Sequence, residues 1–334
     1  MDLSTRYMGL DLAHPLITGA SPMVDQLDIV RRLEDAGAAA ITMHSLFEEQ
    51  LAIEHEATWD SMDAHAHAHA EAVSYFPAAD EFALGPDQYL EQIRKIKALV
   101  GIPVIASLNG STGRGWTDYA KAIEQAGADA LELNIYTVAT DPTISGQVIE
   151  GRIVEAAKIV RSAVRIPVAV KLTPFVSSVS NLARQIEHTG VNGLVLFNRF
   201  YQPDIDIDML DVHPRLKLSD PSELLLRVRW LAILSSRTEL SLAASGGVHS
   251  AEDAIKAIMA GADAVQLVSV LLHHGPERLF KILSDLKHWM LEREYESIEQ
   301  MKGSMSLDRC PDPAAFERGN YIKLLQTWRP ERVR

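Results

Sequence analysis

Cysteine is almost missing from this chain of 334 residues; the one thiol is Cys310. That alone excludes a disulfide framework, a Cys-ligated zinc site and a self-contained iron–sulfur cluster. So thiol-poor a sequence suits a reducing, cytoplasmic setting. Long apolar runs are missing too: no stretch approaches the roughly 18 residues that span a bilayer, so no membrane role is expected. The N-terminus, MDLSTRYMGLDL, has no basic segment leading into an apolar one, which predicts no secretory leader. Basic charge is in short supply, with 32 Lys and Arg against 45 Asp and Glu, a formal charge of −13. A broad nucleic-acid surface needs clustered cations and is not expected. Nor does a Pro/Ser-rich linker divide the chain, which predicts a single domain over residues 1–334. A chain of this length can bury a large core without covalent staples.

What is present is a recurring phrase. Ala36-Gly37-Ala38-Ala39-Ala40-Ile41 is echoed by Ala126-Gly127-Ala128-Asp129-Ala130-Leu131, Thr189-Gly190-Val191-Asn192-Gly193-Leu194 and Ala260-Gly261-Ala262-Asp263-Ala264-Val265. Each copy follows a helical pattern, and the glycine suits the turn out of a helix. A short apolar run comes next, as expected of a strand buried on both faces. Ile102-Pro103-Val104 and Ile166-Pro167-Val168 start further strands. Counted in order, strands are predicted near 16–20, 38–43, 103–108, 129–135, 167–173, 193–198, 240–245 and 264–269. Eight strands with helices between most of them predict an α/β fold, a (β/α)8 barrel over about 10–284. A mostly helical tail is expected over about 285–334. Residues 44–86 are too many for a plain connection and predict an excursion over the barrel mouth.

In such barrels the reacting groups stand at C-terminal strand ends. Those positions read Ala20-Ser21, His44-Ser45, Asn109, Asn134, Lys171, Asn198, Gly246-Gly247 and Ser269-Val270. Asn109, Asn134 and Asn198 converging on one mouth suit a planar heterocycle with amide edges; the plainer reading is that asparagine suits turns. Gly246-Gly247 and Ser269, each before a helix, predict a phosphate site, where glycines admit the anion and free N–H groups attract it; a mere chain turn is the alternative. Lys171 closes an apolar strand, where an unpartnered charge is costly. It suits stabilisation of an anionic reduced cofactor, or a Schiff-base amine.

Other features carry less. His65, His67 and His69 alternate, yet an exposed histidine-rich loop is the simpler reading, and no metal site is predicted. Ser111-Thr112-Gly113-Arg114-Gly115 lacks the Gly-Lys-Ser/Thr ending of a triphosphate loop and reads as a tight turn. Arg114 and Arg199 can attract an acidic substrate. Asp204-Ile205-Asp206-Ile207-Asp208 alternates like one strand of an exposed hairpin.

Taken together, these residues resemble the class 1 dihydroorotate dehydrogenases, FMN-dependent enzymes of pyrimidine synthesis. The resemblance is carried by Gly246-Gly247-Val248 with Ala260 to Leu267, by Glu132-Leu133-Asn134, by Lys171-Leu172-Thr173-Pro174, by Asn198 and by Tyr295-Glu296-Ser297-Ile298-Glu299 with Gly303. It is weakest over 44–86 and after about 308. By position it implies that Ala20, Ser21, Asn109, Asn134 and Lys171 contact the flavin of FMN. Gly246, Gly247, Ser269 and Val270 would hold its phosphate, and Asn134 and Asn198 would face the substrate. It also implies a homodimer with a small-molecule substrate and, in some members, a separate electron-transfer partner.

The chain departs from the family where the base should be. After Asn134 it reads Ile135-Tyr136-Thr137-Val138-Ala139, without the family's S-C-P-N stretch. The catalytic Cys or Ser falls on Thr137, Met43-His44 stands where a lysine is expected, and Ala78 replaces the asparagine of an LPN turn. Asp220 replaces the glycine of Ser-Gly-Pro. An FMN oxidoreductase with a substrate other than dihydroorotate is therefore the leading expectation. The alternatives are true dihydroorotate oxidation with His44 or Thr137 as base, a Lys171 Schiff-base aldolase-type barrel, and a flavin-binding protein without turnover.

Overall fold

A computed structural model describes residues 1–47, 85–110, 116–135, 137–199, 202–215, 217–316 and 319–327. Its centre is a sheet of eight parallel strands: β3 (Leu16–Thr18), β4 (Ile41–Phe47), β5 (Val104–Gly110), β6 (Ala130–Ile135), β7 (Val168–Leu172), β8 (Gly193–Leu196), β11 (Ser241–Ser245) and β12 (Ala264–Leu267). They follow one another in sequence order around the sheet, and β12 returns to pair with β3. The seam between β3 and β4 is closed by Ala39 N–H to Leu16 O at 3.0 Å and Thr18 N–H to Ala40 O at 3.1 Å. This is the predicted (β/α)8 barrel, each strand within a few residues of its expected place.

Helices wrap the sheet: α1 (Leu27–Asp35), α2 (Pro86–Leu99), α3 (Trp116–Gln125), α4 (Gly146–Ala163), α5 (Val179–Glu187), α6 (Leu224–Leu234) and α7 (Ala251–Ala260). After β12 come α8 (Ser269–His274) and α9 (Glu277–Glu292), then α10 (Ile298–Met301) and α11 (Gly319–Thr327). Helix α9 runs straight through residue 285, where the tail was expected to start, because its buried Leu279, Ile282, Leu283, Leu286 and Met290 form one continuous core-facing stripe. Arg32 of α1 ties it to the barrel through Glu277, 2.6 Å away.

The repeated phrase has a physical job at each occurrence. Gly37, Gly127, Gly190 and Gly261 all have positive φ at a helix end, and the residues after Gly37, Gly127 and Gly261 bond back to Leu33 O, Ile123 O and Ala257 O. The polar residue that follows then clips the neighbouring strand. Asp129 Oδ2 accepts Val104 N–H at 2.7 Å, Asn192 Oδ1 accepts Val168 N–H at 3.0 Å, and Asp263 Oδ2 accepts Leu242 N–H at 2.8 Å. Each clip fixes the first residues of two adjacent strands, so the barrel's register is written at its N-terminal rim.

That rim is also plugged. Strands β1 (Thr5–Tyr7) and β2 (Leu10–Leu12) form a hairpin whose two-residue turn, Met8-Gly9, has φ of 53° and 85°, the twist that suits so tight a hairpin. Tyr7 and Met8 are buried among Ala130, Ala169, Ala243 and Ala264, whose small side chains leave room inside the barrel. A second hairpin, β9 (Gln202–Asp206) and β10 (Asp211–Arg215), stands where the Asp/Ile alternation predicted one, with Ile205 and Val212 exposed.

Candidate active site

Three polar residues stand in one row across the C-terminal ends of adjacent strands. Asn109 of β5 is in register with Asn134 of β6, and Asn134 with Lys171 of β7. In-register neighbours of a sheet share a face. Asn198, just past β8, donates its backbone N–H to Leu172 O at 2.8 Å, and Asn134 Nδ2 reaches its Oδ1 at 3.4 Å. The expected constellation of Asn109, Asn134, Lys171 and Asn198 is thus assembled from four consecutive strands of the barrel. Asn134 is 6% exposed, and its Oδ1 has no partner among the described residues. A buried amide oxygen of this kind wants an N–H or O–H from a ligand or water.

Beneath the row lies a pairing that sequence reasoning missed. Lys171 Nζ is 3.0 Å from Glu132 Oε1, whose Oε2 accepts Gln266 Nε2 at 2.5 Å, while Gln266 Oε1 accepts from Lys171 Nζ at 3.3 Å. Glu132, Lys171 and Gln266 are all buried. The available signal was a glutamate flanked by Leu131 and Leu133 in a strand with no solvated face.

The corner expected to take a phosphate is built from the ends of β11 and β12. Gly246 and Gly247 have φ of 90° and 83°, a region that L side chains rarely adopt. A Cβ on Gly247 would lie 2.5 Å from Leu224 N, and one on Gly246 would lie 3.0 Å from Arg227 Nη2. Both glycines are therefore required by protein packing as well as by any ligand. Gly247 N–H donates to Ser219 Oγ at 3.1 Å, and Ser219 Oγ is 2.8 Å from Ser269 Oγ. Ser269 opens α8, and Val270 beside it is buried. Ser250 caps α7 and Asp253 reciprocates. Arg227, also missed, is buried behind the loop and donates to Ser245 O at 2.9 Å. Its desolvation is offset by Glu223. Two hydroxyls, a glycine loop and a buried guanidinium fit an anionic phosphate.

Ala20 and Ser21 follow β3. Gly19, next to them, must lack a side chain because a Cβ would lie 2.4 Å from Val268 Cγ2, so β3 and β12 close tightly here. Ser21 is buried at the start of the short 3-10 turn Pro22–Asp25. Asp220, which stands where glycine was expected, turns its carboxylate onto Ser222 N at 3.0 Å and near Lys217 at 3.7 Å. These bonds hold its pKa down, the Ser222 side chain first.

The two candidate bases fare differently. Met43 and His44 form a bulge, two residues of β4 against Ala106 of β5, between the register pairs Thr42–Ile105 and Ser45–Ser107. Tyr89 of α2 fills the broken ladder, its hydroxyl accepting Ser107 N–H at 2.9 Å and donating to Ser107 O at 3.1 Å. The His44 ring meets Tyr89 edge-on at 5.1 Å and lies with Nδ1 2.6 Å from Asp25 Oδ1. Burial lowers its pKa and Asp25 opposes the shift. His44 thus has an orienting carboxylate, but no described contact joins it to Asn134, Lys171 or Asn198. Thr137 lies two residues past the end of β6 and is half-buried, with no hydrogen-bond partner among the described residues. Tyr136, Arg114, Phe76-Pro77-Ala78 and His65, His67 and His69 lie outside the described residues. Among the described residues no cluster suited to a metal occurs, and no helix is long and apolar enough to cross a membrane.

A row of polar side chains and a pair of glycine-bearing strand ends thus gather at the C-terminal mouth of an α/β barrel, where barrel enzymes carry their reacting groups. The family profile described as dihydroorotate dehydrogenase matches residues 83–290. The catalytic subunit of dihydroorotate dehydrogenase B (NAD(+)) of Methanocaldococcus jannaschii is 27% identical over 320 residues, 90% of this chain and 97% of that protein. Its counterpart in Thermoplasma acidophilum is 28% identical over 320 residues, again 90% of this chain and 98% of that protein. Dihydroorotate dehydrogenase A (fumarate) of Limosilactobacillus reuteri is 31% identical over 203 residues, 55% of this chain and 62% of that protein. The chain belongs to the dihydroorotate dehydrogenase family, whose members are oxidoreductases acting on CH–CH groups.

Proposed function

We propose that this protein binds FMN at the barrel mouth and oxidises a small polar substrate, one that differs from dihydroorotate. The observation that carries the reading is the row Asn109–Asn134–Lys171, with the unfilled Asn134 Oδ1, facing the same mouth as the Gly246-Gly247 and Ser269 corner. When bound, FMN supplies the electron acceptor, taking up hydride from the substrate. Asn109, Asn134 and Lys171 would hold the flavin, with Ala20 and Ser21 at its side, and Asn198 with Asn134 would orient the substrate. Gly246, Gly247, Ser269 and Val270 would hold the phosphate, and Arg227 would supply charge from behind.

The base argues for a changed substrate. A threonine hydroxyl without an activating partner is a poor proton acceptor, and Thr137 has no such partner among the described residues. His44 has Asp25 to orient it, yet faces Tyr89 and the 3-10 turn. The Schiff-base alternative loses support because Lys171 is committed to Glu132, whereas an amine nucleophile must be neutral. Relatives named as catalytic subunits support a separate electron-transfer partner for this chain. We take the protein to be cytoplasmic and homodimeric, as the class 1 resemblance implies.

The test is an absorbance spectrum of the purified protein under anaerobic conditions, before and after dihydroorotate. Flavin bands that persist are expected. Bleaching would instead establish true dihydroorotate oxidation with an atypical base. Colourless protein that FMN cannot reconstitute would overturn the flavin reading and favour the Schiff-base barrel.

A further inference from the structure

Lysine and glutamate side chains that are only 8% and 2% exposed persist in a barrel interior because they answer one another. An isolated charge there would be strongly disfavoured, and close pairing with extra hydrogen bonds removes most of that penalty. Lys171 and Glu132 meet both conditions, since Gln266 bonds to each of them. Below them the Tyr7 hydroxyl is buried without a partner, and its pKa is pushed up by burial first and then by Glu132 and Asp263. The consequence for the mouth is that Lys171 presents no unopposed positive charge; the floor is a neutral pair.

We infer that Glu132 is a positioning residue that offsets the Lys171 charge and so holds down the reduction potential of flavin bound at this mouth. The inference rests on the flavin reading above. Two-electron reduction places negative charge on the flavin ring system, which nearby positive charge favours and nearby negative charge opposes. Gln266 keeps the carboxylate turned toward the ammonium, so the offset is fixed by three strands, β6, β7 and β12, and not by a mobile loop.

The test is spectroelectrochemical titration of the full-length protein loaded with FMN, with the electrode supplying the electrons. Glu132→Gln keeps the size of the side chain and leaves Lys171 unopposed. It should shift the two-electron equilibrium toward reduced flavin by tenfold or more, which is about 30 mV. Lys171→Gln should shift it the other way. The double variant E132Q/K171Q restores a neutral floor and should return to within about threefold of the starting equilibrium, about 14 mV. A merely structural glutamate would not produce opposite shifts that cancel. If E132Q binds FMN with an unchanged potential, the offset is refuted while the flavin site stands. If E132Q does not fold, K171Q and the double variant decide, and a double variant that matches K171Q refutes the inference. Failure of the unmutated protein to bind FMN would overturn both this inference and the reading beneath it.

Discussion

Lowering the pH should weaken this barrel through His14. The residue is buried ahead of β3, with Nε2 2.7 Å from Gly37 O and Nδ1 accepting Leu16 N–H at 3.2 Å. Both ring nitrogens are thus committed in the neutral form, with the proton on Nε2. A second proton on Nδ1 would confront the amide that now donates to it. Burial drives the pKa down from 6.5 to about 4, Gly37 opposes the shift and Lys287 adds to it. With the folded value below the unfolded one, this contribution is complete above about pH 6.5 and is lost as pH falls through about 4. Integrating between the two values predicts a loss of roughly 2–3 kcal/mol by about pH 4.5. Carboxylates titrate over the same range, so the histidine must be isolated by difference. His14→Gln retains an amide donor and removes the titration. Urea unfolding at about pH 7.5 and about pH 4.5 should show the unmutated protein losing roughly 2–3 kcal/mol more than the variant. Equal losses would show that His14 is not the group that protonates.

Three further outcomes are expected. Tyr7→Phe removes a buried hydroxyl that has no partner, so stability should hold or rise by about 1 kcal/mol; thermal unfolding that shows a clear loss would reveal an unseen bond. Gly247→Ala places a side chain at φ 83° against Leu224 N, which should cost more than about 2 kcal/mol in urea unfolding, and FMN uptake should fall with it; a silent substitution would mean that the loop relaxes freely. Asn134→Ala should weaken FMN or substrate binding by at least about tenfold, read by flavin fluorescence quenching, because its acceptor oxygen is unfilled. The melting temperature should change little, since the only protein bond lost is the 3.4 Å contact to Asn198.

The barrel was legible because its rules are local. A glycine at a helix end and an apolar strand recur at four of the chain's returns to the rim, with a small residue bonding back at three of them, so Gly127-Ala128-Asp129 announces its neighbours without knowing where they are. The same holds for the phosphate corner, where backbone conformation at Gly246-Gly247 is a property of a few adjacent residues. The hairpin at β9 and β10 announced itself through its alternation. Partnerships across the barrel are different. Glu132 was visible as a misfit between Leu131 and Leu133, but its partners are Lys171, 39 positions away, and Gln266, 134 positions away, and only the strand order brings the three together. The surroundings of His44 are set at long range in the same way. Its place in sequence put it at a strand end, but the bulge in β4 is a matter of register between two strands, and that register turns the ring toward Tyr89 and Asp25. A cofactor loop is written in consecutive residues, whereas a base is defined by what stands opposite it.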